Sequence, residues 1–316
     1  MNHNSGELGQ GAFLYKVSVN WESVPEGYAW REVAAVATDP HDNVYVFNRG
    51  PHPMIVFDKD GNFLNSWGED IFVNPHGLSL GPNDTLFCTD DGDHTVRQCT
   101  FDGKVLMTLG VPGSAAQYQS GEPFNRCTHV ALDQRTGDFY VSDGYGNSRI
   151  HVYTGAGEYK FSWGEPGIDA GQFIRPHNIA IDSNANVYVV DREAHRIQIF
   201  DTDGKFQTMW SNIHRPDSMV LWGEHIYVGE LNGMGGVDDA PGLGHRVTIF
   251  DLNGNQVSQF GDKNEGEGPG QFIAPHGIAV DSQGSVYVAE VSFTIRGSHM
   301  NPPKELRSLS KYTLAK

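Results

Sequence analysis

Cysteine is scarce: Cys88, Cys99 and Cys127 are the three in 316 residues. Their odd number and irregular spacing fit neither a disulfide framework, nor a zinc knuckle, nor a redox pair. All three fall in or beside apolar strand patterns, so buried free thiols in a reducing compartment, the cytoplasm, are expected. Basic residues are also few. Lys plus Arg number 22 against 39 Asp plus Glu, for a formal net charge of −17. Such a surface repels phosphate backbones and anionic lipid, which argues against nucleic acid and membranes as partners. No apolar run approaches the ~18 residues of a membrane-spanning helix. Residues 1–10 are polar, so no signal peptide is expected there. Helical periodicity is missing at length. With 38 glycines, 16 prolines and 11% aromatic residues, the remaining reading is a turn-rich all-β protein.

The chain repeats itself. "PHGLSLGPNDTLFCTDDGDHTVRQCTFDGKVLMTLG" (75–110), "PHNIAIDSNANVYVVDREAHRIQIFDTDGKFQTMWS" (176–211) and "PHGIAVDSQGSVYVAE" (275–290) share one pattern. Weaker copies begin near residues 33, 128 and 216, making six units. In each, a first apolar strand ends at an acid such as Asp39, Asp133, Asp182 or Asp281, and a polar turn leads to a second strand of the type "VYVxD". A third strand reads "RIQIFD" or "RVTIFD", and a turn such as Asp203–Gly204 opens a fourth. Asp-Gly and Asn-Gly turns supply the positive φ that short hairpins need. Four strands per unit of this length predict the blades of a six-bladed β-propeller in one domain spanning 1–316. The last unit ends one strand short, so the strand-like segment 13–21 is expected to pair with 308–314 and complete it. Insertions at 111–127, 231–244 and 291–305 read as functional loops.

In an up-and-down blade, the start of the first strand and the end of the second fall on one face of the central channel. The starts are Ala34, His76, His129, His177, Asp217 and His276. His76, His177 and His276 share a Pro-His-x-(Leu/Ile) context in alternate blades. Three converging imidazoles with an open fourth position suit catalytic zinc or another divalent transition metal; the competing reading is a repeat-consensus histidine packing in the channel mouth. His129 follows Thr128 instead of proline and is read as either supporting the metal ligands from behind or facing substrate, and Asp217 is read as facing substrate. At the ends of the second strands, Arg49, Tyr145 and Arg192 break the repeat. Paired arginines in an acidic protein suit capture of a substrate carboxylate, and a phenol near a metal and arginines can serve as a base. The alternatives are ion pairs to neighbouring acids and packing beneath the 111–127 loop. The acids Asp90, Asp143, Asp191, Glu230 and Glu290 are read as structural, satisfying turn N–H groups. His41, His94, His195 and His225 are expected to be solvated.

The repeat grammar and the junction "GPGQFIAPHGIAVD" (268–281) resemble the NHL-repeat propellers. Together, "FNRG" (47–50), "SDGYGNSRI" (142–150), "DREAHRIQIF" (191–200) and the three histidine contexts resemble peptidyl-α-hydroxyglycine α-amidating lyase. That resemblance implies zinc on His76, His177 and His276, with Tyr145 as the base that deprotonates the substrate hydroxyl. It implies that Arg49 stabilises developing charge, that Arg192 holds a carboxylate, and that a carbinolamide C–N bond breaks to give an amide and an aldehyde. Ala274, Gly277 and Gly146 depart from the family pattern. Gly277 replaces an expected acid and argues against a structural calcium, and Gly146 replaces an expected disulfide cysteine. A hydrolase using metal-bound water, a calcium-dependent lactonase-like hydrolase and a non-catalytic binding propeller are the competing readings.

Overall fold

A computed structural model describes residues 6–18, 21–234 and 242–315. Residues 235–241 of the 231–244 insertion therefore lie outside the described residues. The chain folds into six antiparallel sheets with four-stranded blades, arranged as a β-propeller. The strands run in chain order: β1 (Glu7–Gln10), β2 (Phe13–Ser18), β3 (Val33–Thr38), β4 (Val44–Asn48), β5 (Met54–Phe57), β6 (Phe63–Trp67), β7 (Pro75–Gly81), β8 (Thr85–Asp90), β9 (Thr95–Thr100) and β10 (Val105–Leu109). They continue with β11 (His129–Leu132), β12 (Phe139–Asp143), β13 (Arg149–Tyr153), β14 (Tyr159–Trp163), β15 (Pro176–Ile181), β16 (Val187–Asp191), β17 (Arg196–Phe200) and β18 (Phe206–Trp210). The rest are β19 (Pro216–Trp222), β20 (His225–Glu230), β21 (Arg246–Asp251), β22 (Gln256–Phe260), β23 (Pro275–Val280), β24 (Val286–Glu290) and β25 (Leu309–Leu314). No helix among the described residues is long and apolar enough to cross a membrane.

Two compact units divide the chain, residues 67–219 and residues 1–66 with 220–316. In the first, second strands such as β8, β12 and β16 are buried along their whole length. Flanked on both sides, they read as continuous Val/Tyr/Phe runs instead of alternating ones. Outer strands such as β10 and β14 are largely exposed. Ala131, Tyr140, Ile179, Val189 and Phe200 share one core cluster, so apolar faces of successive blades are packed together.

In the second unit the last sheet runs β1-β2-β25-β24-β23. β2 pairs antiparallel with β25, with Tyr15 opposite Leu314 and Ser18 opposite Lys311. It is described as far as Ser18; residues 19 and 20 of the expected segment lie outside the described residues. β1 adds a fifth, outer strand that the repeat pattern does not announce. Tyr15 is fully buried among Phe260, Phe272, Ile278 and Tyr312 and meets the Tyr227 hydroxyl at 3.1 Å. The insertion after β24 carries a short helix, α1 (Ser292–Ile295).

Candidate active site

The repeated acids do more than close turns. Asp90, ending β8, accepts the backbone N–H groups of Val73 and Asn74 at 2.5 and 2.9 Å. Asp191, ending β16, accepts those of Ile174 and Arg175 at 3.0 and 2.8 Å. In the other unit Glu290, ending β24, accepts those of Ile273 and Ala274 at 2.6 and 3.0 Å. Each acid thus latches the two residues that precede a Pro-His pair, and the proline fixes φ where the first strand starts. Burial pushes all three carboxyls up, against the pull of those same N–H groups.

Within residues 67–219 the latches deliver two histidines to one spot. His76 donates Nδ1–H to the Thr128 carbonyl at 2.8 Å, and His177 donates Nδ1–H to the Asp217 carbonyl at 2.8 Å. A carbonyl can only accept, so in the neutral ring Nδ1 holds the proton and Nε2 is the acceptor. Both Nε2 atoms face the Tyr145 hydroxyl, at 3.1 and 3.0 Å, and the rings lie 4.8 Å apart. The glycines beside Tyr145 make this approach possible. A Cβ on Gly144 would sit 1.9 Å from the Pro176 carbonyl oxygen, and one on Gly146 would sit 2.2 Å from Asn125 Oδ1.

Three guanidiniums surround the Tyr145 ring: Arg126, Arg175 and Arg192, at 4.5, 5.3 and 5.6 Å from its centre. Arg192 is buried; its Nη1 donates to Asp217 at 2.8 Å and its Nε to Glu193 at 2.9 Å. Burial works against the Arg192 charge, but Tyr145, Asp217 and Glu193 more than offset it and keep the guanidinium protonated. Burial would likewise push the Glu193 carboxyl up; Arg192 and Arg215 override it and hold it down at about 2.

The other unit holds the remaining candidates. His276 donates Nδ1–H to the Ala34 carbonyl at 2.7 Å, repeating the geometry of His76 and His177. Arg49 donates to Glu32 at 2.9 Å, and Glu32 also accepts the Thr294 N–H and hydroxyl, both at 2.6 Å, which tie α1 to this corner.

The ladder register corrects one expectation. His129 pairs with Ser142 as Asn178 pairs with Val190, which aligns His129 with Asn178 and Thr128 with His177. His129 therefore leaves the ring of first positions, and its Nδ1 lies 2.8 Å from where a Gly77 Cβ would stand. Counting back from Asp133 instead of matching the Pro-His pair would have found this. Asp217 does occupy the ring position, fully buried with its carboxylate on Arg192. Of the histidines expected in solvent, His41 is exposed, but His94 and His195 accept backbone N–H groups from Arg126 and Arg215, and His225 packs edge-on against Phe13. Arg126, Arg175 and Glu193 escaped notice. Arg175 directly precedes Pro176–His177, and that adjacency was the available signal. The three cysteines are buried and unbridged.

An NHL repeat family model matches residues 124–153 and 173–200. Human NHL repeat-containing protein 3 is 28% identical over 297 residues, covering 88% of this chain and 82% of that protein. Peptidyl-alpha-hydroxyglycine alpha-amidating lyase 1 of Drosophila melanogaster is 31% identical over 254 residues, 73% of this chain and 45% of that protein. Among solved structures, virginiamycin B lyase from Staphylococcus aureus superposes with a TM-score of 0.57 at 15% identity, covering 96% of this chain and 88% of that one, a likeness of fold alone. The chain is a six-bladed β-propeller built from NHL repeats, with relatives named peptidyl-alpha-hydroxyglycine alpha-amidating lyase at 25 and 31% identity.

Proposed function

We propose that this protein is a metal-dependent carbon–nitrogen lyase acting on a small carbinolamide, with His76, His177 and His276 holding one divalent ion such as zinc. One observation carries the reading. Two buried imidazoles, each anchored through Nδ1, turn Nε2 toward a single hydroxyl. A divalent cation is a partner that such converging imidazole nitrogens bind together. All three histidines bind a carbonyl through Nδ1, which suits ligation through Nε2.

A bound ion supplies Lewis-acid polarisation of the substrate hydroxyl. Tyr145 Oη, in its phenolate form between the two Nε2 atoms and beside three guanidiniums, takes the hydroxyl proton and becomes the phenol. The C–N bond then breaks; its electron pair leaves with nitrogen, and the carbinol carbon becomes an aldehyde. Tyr145 returns the proton to the departing nitrogen, giving the amide and completing the balance. Arg192, clamped by Asp217 and Glu193, and Arg49, clamped by Glu32, act as fixed positive charges for the oxyanion that develops. With two of its donors engaged and its side chain buried, Arg192 is proposed as a fixed charge instead of the carboxylate hold that the resemblance implies.

Elemental analysis of the purified protein and incubation with an N-acyl-α-hydroxyglycine test the reading together. About one equivalent of metal and release of the acyl amide with an aldehyde are expected. A metal-free protein, or metal with no C–N cleavage across a set of carbinolamides, overturns it. Hydrolysis of an ester or lactone in place of cleavage would favour metal-bound water as the nucleophile.

A further inference from the structure

We infer that Arg126 and Arg175 form a two-guanidinium grip for the substrate carboxylate and set the preference for anionic carbinolamides; the reaction class assumed rests on the lyase reading above. Both cations lie over the Tyr145 ring, at 4.5 and 5.3 Å, so a molecule reaching Tyr145 Oη meets them. Unlike Arg192, both are open to solvent, with side chains 49 and 36% exposed. Their existing partners leave capacity. Arg126 directs Nε and Nη2 at the same Asp91 oxygen. Arg175 reaches Glu193 through Nη1 at 3.3 Å, and its buried Nε has no hydrogen-bond partner. Glu193 is meanwhile shared with Arg192 at 2.9 Å and Arg215 at 3.1 Å. One carboxylate thus serves three guanidiniums, and Arg175 holds the longest of these contacts. An incoming carboxylate can replace that long contact at the solvent-open end of Arg175, and the planar fork of each arginine suits two-point contact with it.

The test is calorimetric binding of benzoylglycine and of its primary amide to the metal-containing protein, for wild type, Arg126→Gln, Arg175→Gln and the double variant. Wild type should prefer the acid. Each single variant should cut that preference about tenfold to a hundredfold, the worth of a charge-assisted hydrogen bond, and the double variant should abolish it. An acid-to-amide ratio unchanged in the double variant overturns the grip, as does a wild-type protein that does not prefer the acid. Turnover of the N-acyl-α-hydroxyglycine is read separately on wild type. A grip that behaves as expected beside absent C–N cleavage keeps the carboxylate site and discards the lyase reading. Cleavage beside an unchanged ratio does the reverse. Should the glutamine variants fail to fold, Arg126→Lys and Arg175→Lys keep the charge, lose the planar fork and report the same ratio.

Discussion

Tyr145 is where residue chemistry concentrates. Its hydroxyl contacts two imidazole lone pairs, its ring carries three guanidiniums, and its backbone passes between glycines whose neighbours leave no room for a Cβ. Removing the hydroxyl alone isolates the proposed base. Tyr145→Phe should keep the fold and about one equivalent of metal while losing about 10²–10⁴ in kcat, measured by amide release. Near-normal turnover in that variant would leave the metal site and discard the base. His177→Ala tests the ligands instead. Metal content by elemental analysis should fall to background, since two imidazoles make a poor site where three are proposed, and full retention would sink the assignment.

At the scale of elements, β8, β16 and β24 each fill the core and end in an acid that fixes the approach to the histidine of the same blade. The last blade depends on a partner far away in sequence. β2 supplies its fourth strand, and Tyr15 plugs the cluster of Phe260, Phe272 and Tyr312. Burial pushes the Tyr15 phenol up, with the Tyr227 hydroxyl bond adding to it. Tyr15→Ala should destabilise the protein by about 3–5 kcal/mol, the usual loss for deleting a buried aromatic ring. Urea unfolding reads this directly, and a loss under 1 kcal/mol would mean that β2 does not support the blade.

For the whole molecule, the net charge of −17 and a pI near 5.1 make acid the informative perturbation. Glu193 has a folded-state value lowered from 4.5 to about 2. A lowered carboxyl stabilises the fold above its unfolded value, and that stabilisation drains away as pH falls through the folded one. Wild-type stability should therefore drop between about pH 4.5 and 2 in part through this group. Glu193→Gln should be less stable than wild type at pH 6, and the gap should close as pH approaches 2. Equal gaps at both pH values, by thermal or urea unfolding, would show that the arginine cluster does not depend on the Glu193 charge.

The six-fold repeat, the blade strands, the closing segment near residue 13 and the Pro-His positions were legible in the sequence, because strand alternation, Asp-Gly turns and apolar runs are local consequences of local residues. What needed the tertiary structure was register and partnership. Only the ladder between β11 and β12 puts Thr128 at the ring position claimed for His129, because a one-residue shift turns every side chain to the other face. Only folding brings Arg126 and Arg175 onto Tyr145, buries Arg192 against Asp217 and Glu193, and gives each histidine its carbonyl. Apart from the neighbours Arg192 and Glu193, those contacts join residues that no repeat unit contains together, and their energetics follow from burial and distance, which a linear sequence does not carry.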